Sequence, residues 1–290
     1  MKETIKDSCI NEFDPNALDE LQAINKIISA IKPIKSSEKV KIKDALHRTV
    51  SSTIRASINV PPFRNSAMDG YALNLKDLNS NKFKLSEIGI SYAGKPFSSL
   101  LRNGETVRVM TGALIPRNAD AVVMKEMTSK QGRFINFSKN IKKDQNIRFI
   151  GEDIKKGEIV FKKGDELNFS SISILSSLGI EYVDVFCKPK ISYFSSGDEL
   201  VATGRKLEQG QIYDSNRYLL HGLLRDLPVV FSDLGIVRDK KADSVKKLRR
   251  ASEISNIIIT TGGVSVGDAD YIKDALKEVG TVGFWKIAIK

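Results

Sequence analysis

Residues 256–270 read NIIITTGGVSVGDAD, an apolar run followed at once by a glycine-rich turn. The run at 257–259 shows no alternation of polar and apolar residues, which is typical of a strand covered on both faces of a parallel sheet. We therefore expect this strand to be central and parallel. The next residues, 270–279, have helical periodicity. This order of strand, loop and helix decides the fold class, because helices that follow parallel strands cover the faces of their sheet.

The same order repeats through the C-terminal third of the chain. The strands are short and apolar, and the helices between them carry their apolar residues on one stripe. We therefore predict an α/β layer with right-handed crossovers over residues 189–290, within a multidomain α/β chain. Further strands are expected at residues 190–195, 229–237 and 282–289, and further helices at 214–227 and 244–254.

A helical segment is predicted at residues 1–60. Its first helix begins at Asp14-Pro15, where an acidic cap precedes a proline at the first helical position, and a second helix is expected at 39–50. Residues 145–188 contain a further short helix at 170–178 that ends at Gly179. We assign 145–188 to the same N-terminal domain as 1–60.

A small all-β domain is predicted at residues 61–144. Short apolar runs alternate there with glycines, which is the spacing of strands joined by tight turns. The strands are expected at residues 88–92, 106–110 and 121–124.

Composition narrows the possible functions of the 290-residue chain. No apolar run is long enough for a membrane span, and the N-terminal residues lack a signal-peptide core, so we expect a cytoplasmic protein. Cys9 and Cys187 do not have metal-site spacing. His47 and His221 both fall in predicted helices, which disfavours histidine-based nucleophilic catalysis. The net charge of +11 would suit nucleic acid, but no basic block with interleaved aromatic residues accompanies it, so we expect no nucleic-acid partner.

Carboxylates follow each predicted strand of the α/β layer. Glu199 follows the first strand, Asp239 the second, and Asp268 and Asp270 the third. Ligands of such sheets bind beyond the carboxyl ends of the strands. Each acid alone is commonly a helix cap or a solvated group, but together they could hold Mg²⁺ beside a phosphate. The sequence therefore predicts a magnesium and phosphate site at this edge.

The turn after residues 257–260 is the candidate phosphate loop. Its glycines allow backbone N–H groups to approach an anion at a helix N-terminus, although a purely structural turn fits the spacing as well. Lys286 and Lys290 lie four residues apart on the last predicted strand and would share one face. They could hold a phosphate or an oxyanion such as molybdate, and an ordinary amphipathic edge strand is the alternative.

Residues 61–72, PPFRNSAMDGYA, resemble the signature of the MoeA and gephyrin E-domain family. Further stretches agree with the family in the same order, so the resemblance covers the chain from about residue 12 to its end. These stretches are RVMTGA at 108–113, NIRFIGED at 146–153, SGDEL at 196–200, GQIYDSNR at 210–217, residues 262–270, and FWKIAIK at 284–290.

The resemblance implies a molybdopterin molybdotransferase, which inserts molybdate into adenylylated molybdopterin and releases AMP with the help of Mg²⁺. It implies a three-layer molybdopterin-binding α/β domain and a homodimer whose active site lies between the α/β domain of one subunit and the β domain of the other. The implied catalytic residues are Asp69, Thr111, Asp153, Glu199 and Asp239. Glu199 and Asp270 are the implied metal ligands. The implied substrate-binding residues are Gly262, Gly263, Ser265, Gly267, Lys286 and Lys290.

Two departures from the family pattern leave alternatives open. Arg64 stands where many relatives have an acidic residue. Relatives also continue beyond Lys290 with the rest of the α/β domain and a C-terminal β domain, so the α/β domain is expected to be truncated on its C-terminal side. The alternative to the enzyme is a truncated, inactive fragment that binds molybdopterin or dimerises. We expect the 290-residue chain to bind its pterin substrate weakly and to insert little molybdenum.

Overall fold

A computed structural model describes residues 17–262 and 271–288. The chain divides into two compact units, one formed by Lys39–Asp184 and the other by Met1–Glu38 together with Val185–Lys290. The domain limits inferred from the sequence stay a prediction. No helix in the described part of the chain is both long enough and apolar enough to cross a membrane.

Six α-helices and seventeen strands are found in the described residues. The helices are α1 (Glu20–Ala30), α2 (Leu75–Ser80), α3 (Phe169–Ser177), α4 (Ser215–Arg225), α5 (Lys241–Ile254) and α6 (Tyr271–Val279). The first nine strands are β1 (Ser37–Lys41), β2 (Ile54–Arg55), β3 (Asn65–Ser66), β4 (Gly70–Leu73), β5 (Lys84–Ser91), β6 (Glu105–Val109), β7 (Ala121–Met124), β8 (Ser129–Gln131) and β9 (Phe134–Asn136). The others are β10 (Ile147–Arg148), β11 (Ile159–Phe161), β12 (Tyr182–Phe186), β13 (Lys190–Ser196), β14 (Leu200–Val201), β15 (Ile212–Tyr213), β16 (Val230–Val237) and β17 (Ile257–Thr261).

The β-rich unit is built on a six-stranded sheet in the order β7-β4-β6-β5-β9-β8. Tyr71 and Leu73 of β4 pack into one hydrophobic cluster, and Ala72 packs into a second. Since neighbouring residues of a strand point to opposite faces, both faces of this sheet are covered. The predicted strands at 88–92, 106–110 and 121–124 are confirmed as parts of β5, β6 and β7.

The α/β unit contains a parallel sheet in the order β16-β13-β17. Phe194 of β13 packs with Leu248 of α5 and Ile272 of α6, whereas Tyr193 packs with Leu224 of α4 on the other face. Helices therefore cover both faces of the sheet, which confirms the three-layer arrangement. The predicted helices at 214–227, 244–254 and 270–279 correspond to α4, α5 and α6.

The prediction that residues 257–259 form the central strand is wrong for the described sheet. The central strand is β13, and β17 lies at the edge. β13 contains three buried serines, Ser192, Ser195 and Ser196. Because serine is polar, the burial of this strand could not be recognised from its composition. The strand order depends on the side to which each crossover turns, and hydrophobic periodicity carries no such information.

The helix predicted at residues 39–50 is also wrong. This segment forms part of β1 and a single 3₁₀ turn, Ile42–Asp44. The N–H of Ile42 donates to the carbonyl oxygen of Glu181, and the N–H of Val50 donates to that of Asp165. Hydrogen bonds to residues far along the chain thus replace those of a helix. The first helix is confirmed as α1, but its predicted start is wrong: the cap is Asp19, and Leu18 lies in a β-bridge rather than in the helix. Asp14 and Pro15 lie outside the described residues.

The fourth strand predicted at residues 282–289 is wrong as far as the described residues extend. Ile287 makes one isolated parallel bridge, with Leu18, and the sheet has no fourth strand within 17–262 and 271–288. The N–H of Leu18 donates to the carbonyl oxygen of Lys286 at 3.0 Å, and the N–H of Ala288 donates to that of Leu18 at 2.8 Å. A short bridge at the start of α1 therefore takes the place of strand pairing.

The contact between Gly262 and Ser196 predicts a specific loss of stability. A Cβ atom on Gly262 would lie 2.0 Å from the carbonyl oxygen of Ser196, and Gly262 has φ +79°. Gly235 has φ +78° but open space around it. G235A should cost ~1–2 kcal/mol for a left-handed backbone, and G262A should cost more because of the clash. Calorimetric unfolding of both variants measures the difference, and equal losses would show that the contact does not constrain the sheet.

Candidate active site

Asp69 and Thr111 form a compact polar pair in the β-rich unit. One carboxylate oxygen of Asp69 accepts two hydrogen bonds from Thr111, at 2.8 Å from its N–H and at 2.8 Å from its hydroxyl. Both residues are exposed to solvent. The structure thus joins two of the predicted site residues that lie 42 positions apart in the chain.

The pKa of Asp69 lies below its ordinary value. The backbone N–H of Thr111 is the largest cause, followed by the Thr111 hydroxyl, with attraction from Arg108 and Lys125 adding to it. β4 pairs with β6, which contains Arg108, and with β7, which is followed directly by Lys125. The sheet therefore places both cations near Asp69. Asp69 is therefore ionised at neutral pH. Because folding lowers the pKa of Asp69, its ionised form stabilises the folded protein at pH values above the ordinary carboxyl pKa. This stabilisation is lost as the pH falls through the pKa that Asp69 has in the folded protein.

The loop that carries Asp69 is held at both ends by backbone hydrogen bonds. The N–H of Gly112 donates to the carbonyl oxygen of Ser66, and the N–H of Ala67 donates to that of Asn146. At the other end, a Cβ atom on Gly70 would lie 2.1 Å from the carbonyl oxygen of Val123, so only glycine fits there. The segment around residues 61–72 therefore presents Asp69 on a fixed frame.

Asp153 is paired with a cation in the same unit. The Nη2 atom of Arg148 lies 2.7 Å from both carboxylate oxygens of Asp153, and Glu152 lies 3.6 Å from Arg148 Nε. The N–H of Asp153 donates to the carbonyl oxygen of Val60. Arg148 was not among the predicted site residues. Its position inside the 146–153 motif could have identified it as a candidate site residue.

Arg64 points inward rather than into solvent. Its Nη2 atom donates to the carbonyl oxygen of Ala119 at 3.0 Å, and its Nε atom is buried without a hydrogen-bond partner among the described residues. The arginine that departs from the family pattern thus anchors the loop at Ala119.

The second cluster lies at the carboxyl end of the parallel sheet. Ser196, Val237 and Thr261 end β13, β16 and β17 at one edge. The hydroxyl of Ser196 donates to Asp239 Oδ1 at 2.7 Å. The N–H of Asp239 donates to Asp198 Oδ1 at 3.3 Å. The prediction that Asp239 lies at this edge is confirmed by the register of the strands.

Glu199 lies beside Gly197 at the same edge. A Cβ atom on Gly197 would come within 2.7 Å of the Glu199 carboxylate, so that carboxylate folds back over the glycine. Glu199 is exposed, and within the described residues its carboxylate has no hydrogen bond or ion pair. Its oxygens are therefore available to a ligand.

Several predicted site residues lie outside the described residues, namely Gly263, Ser265, Gly267, Asp268, Asp270 and Lys290. Lys286 is described and lies outside the strands, so the predicted strand is not found at this residue. Among the described residues, no group of three or more His, Cys, Asp or Glu side chains could hold a metal ion. The metal assignment of Glu199 and Asp270 therefore stays a prediction.

A parallel α/β unit with carboxylates at its strand ends, together with a β-rich unit, defines a multidomain α/β protein. In sheets of this kind, ligands bind beyond the carboxyl ends of the strands. Two family models match the chain: the MoeA N-terminal region, domains I and II, over residues 18–179, and a probable molybdopterin binding domain over residues 193–290. The chain belongs to the MoeA family.

The relatives support this assignment. A molybdopterin molybdenumtransferase from Haemophilus influenzae is 44% identical over 270 residues, covering 93% of this chain and 67% of the relative. A putative molybdopterin biosynthesis protein from Methanocaldococcus jannaschii is 32% identical, covering 89% of this chain and 70% of the relative. The solved molybdopterin biosynthesis MoeA protein from Pyrococcus horikoshii superposes with a TM-score of 0.78 at 31% identity, covering 94% of this chain and 70% of that one. The chain thus spans about two thirds of the length of these relatives.

The hydrogen bonds to Asp69 predict the response of its pKa to mutation. Thr111→Val removes the hydroxyl donor and keeps the backbone donor, so the pKa of Asp69 should rise but remain below its ordinary value. Thr111→Ser, which keeps a hydroxyl, is the matched control and should leave the pKa low. Carboxyl chemical shifts followed by NMR across acidic pH measure it. An unchanged pKa in Thr111→Val would contradict the importance of the hydroxyl.

Proposed function

We propose that this chain acts in molybdenum cofactor biosynthesis as a molybdopterin molybdotransferase. In this proposal it places molybdate on adenylylated molybdopterin and releases AMP, and it does so in the cytoplasm. The observation that carries the proposal is the pair of carboxylates, Glu199 and Asp239, at the ligand-binding edge of an α/β unit whose relatives are named for this transfer.

Each described residue has a role that its contacts support. Ser196 fixes the orientation of Asp239 by donating to its carboxylate, so Asp239 would present its second oxygen to the substrate. Thr111 keeps Asp69 ionised, which suits a group that orients a cationic partner. Arg148 orients Asp153 through a charge-assisted hydrogen bond.

Magnesium is part of the proposal. Carboxylate oxygens are the ligands that Mg²⁺ prefers, and the Glu199 carboxylate has its oxygens free of protein partners within the described residues. Glu199 would hold the ion with Asp270. When bound, the cation would neutralise phosphate charge close to the carboxylates.

The carboxylates at the sheet edge can be tested by isosteric substitution. Introduced into the full-length protein, E199Q and D239N should each reduce molybdate insertion at least ~10²-fold, a scale expected for the loss of one electrostatic contact to the reacting groups. Insertion is measured by molybdenum content of the pterin together with AMP release.

The control is E253Q, which neutralises an exposed carboxylate on α5. It should retain activity, and all three variants should unfold at the wild-type temperature. Near wild-type turnover of E199Q or D239N would remove that residue from the proposed site.

We also propose a homodimer. The outer face of α4 exposes Leu219 and Leu223 by 60% and 59%, and the flanking Tyr218 and Leu227 are exposed by about half. Contiguous exposed apolar side chains of this kind commonly mark protein interfaces. A second copy of the chain is the proposed occupant, as implied by the family resemblance.

Charge placed on this face should dissociate the dimer. L219K/L223K is expected to shift the chain toward monomers, because it buries two unpaired charges in an apolar contact. L100K is a control at a leucine in the other unit that is also 60% exposed. Light scattering coupled to size-exclusion chromatography measures the mass. A dimer that survives L219K/L223K would rule out the α4 face.

A further inference from the structure

A cavity of about 600 Å³ opens beside Gly197 and Asp198, at the carboxyl end of β13. Its wall is completed by β14, by the loop that follows it, and by Ile236 and Arg238 at the end of β16. The volume is in the range of small-molecule sites. The cavity is therefore large enough for a substituent of a substrate that binds at the sheet edge.

Residues 202–211 form one wall of the cavity and are a loop constrained by contacts at its ends and along its length. Its two ends are held together because β14 and β15 pair in parallel, with Leu200 opposite Ile212. The hydroxyl of Tyr213 donates to the carbonyl oxygen of Arg205 at 2.9 Å. The Thr203 hydroxyl lies 2.6 Å from that of Tyr218. These contacts order the loop before any ligand binds.

Cationic side chains predominate in this cavity. Arg205, Lys206, Arg217 and Arg238 line it, against the carboxylates of Asp198 and Glu208. Arg217 is already paired with Asp233, at 3.1 Å. Within the described residues, Arg205, Lys206 and Arg238 have no ion-pair partner. Three unneutralised cations in one concave wall attract an anion.

We propose that Arg205 and Lys206, with Arg238, form a phosphoryl-binding subsite, and that Tyr213 positions it. Guanidinium and ammonium groups are the side chains that recognise phosphoryl oxygens. The inference deepens the proposed function and rests on it only for the identity of the molecule that carries the phosphoryl group.

The test is calorimetric binding of AMP, inorganic pyrophosphate and adenosine to the 290-residue chain at low salt. R205A/K206A should weaken binding of both anions at least ~10-fold, a change expected for losing hydrogen bonds to a charged group. The matched control is K246A/R250A, which removes one lysine and one arginine from exposed positions on α5. It should bind AMP like the wild type.

Arg205→Lys keeps the charge and should recover part of the affinity lost in R205A. Tyr213→Phe should bind AMP more weakly than the wild type and more tightly than R205A/K206A, with an unchanged unfolding temperature. Adenosine should not bind. Tighter binding of AMP than of pyrophosphate would identify a nucleotide as the source of the phosphoryl group, and the reverse would identify a polyphosphate.

The proposal is overturned if R205A/K206A binds the anions as well as the wild type, if K246A/R250A is weakened equally, or if neither anion binds the wild type. Adenosine binding equal to that of AMP would also overturn it. Normal molybdate insertion by R205A/K206A would leave the proposed function standing without the subsite. Specific AMP binding without any insertion would leave the subsite and remove the proposed function.

Discussion

The close approach of Gly262 to the carbonyl oxygen of Ser196 constrains the whole carboxyl edge of the parallel sheet. No side-chain carbon fits between them, because a Cβ atom would lie 2.0 Å from that oxygen. The contact fixes the end of β17 against the end of the central strand β13. Ser196 can then use its hydroxyl to hold Asp239, so the ends of all three parallel strands are set by a backbone contact and one hydrogen bond.

The local pattern of apolar residues was sufficient to predict the helices and strands that bury one stripe or one face. The helices α3, α4, α5 and α6 and the strands β13, β16 and β17 follow from periodicity, because their partners lie close in the repeating order of strand and helix. The segments at 39–50 and 282–288 failed for the opposite reason. Their conformation depends on hydrogen bonds to residues 165–181 and to Leu18, and no local pattern records such partners.

The candidate site divides in the same way. Asp239 could be placed by reasoning from the sequence, because a residue that follows a parallel strand must lie at the carboxyl edge. Asp69 and Thr111 entered only through the family resemblance, since their 2.8 Å contact joins two loops of the β-rich unit. The loop at 202–211 has the composition of any polar turn. The loop is ordered by the hydrogen bond from the hydroxyl of Tyr213, a tertiary contact that could not be predicted from the sequence.

The position of the positive charges is more informative than their number. On α5, Lys241 and Arg249 are both close to Glu278, at 3.1 and 3.7 Å, so part of the basic character of that helix is neutralised within the fold. Beside β14, Arg205 and Lys206 have no such partner among the described residues, and Arg238 lies next to the acidic Asp239. Acidic and basic groups therefore adjoin at one sheet edge without neutralising each other. That separation suits a ligand that carries both a cation and anionic phosphoryl groups, because each part then meets groups of opposite charge.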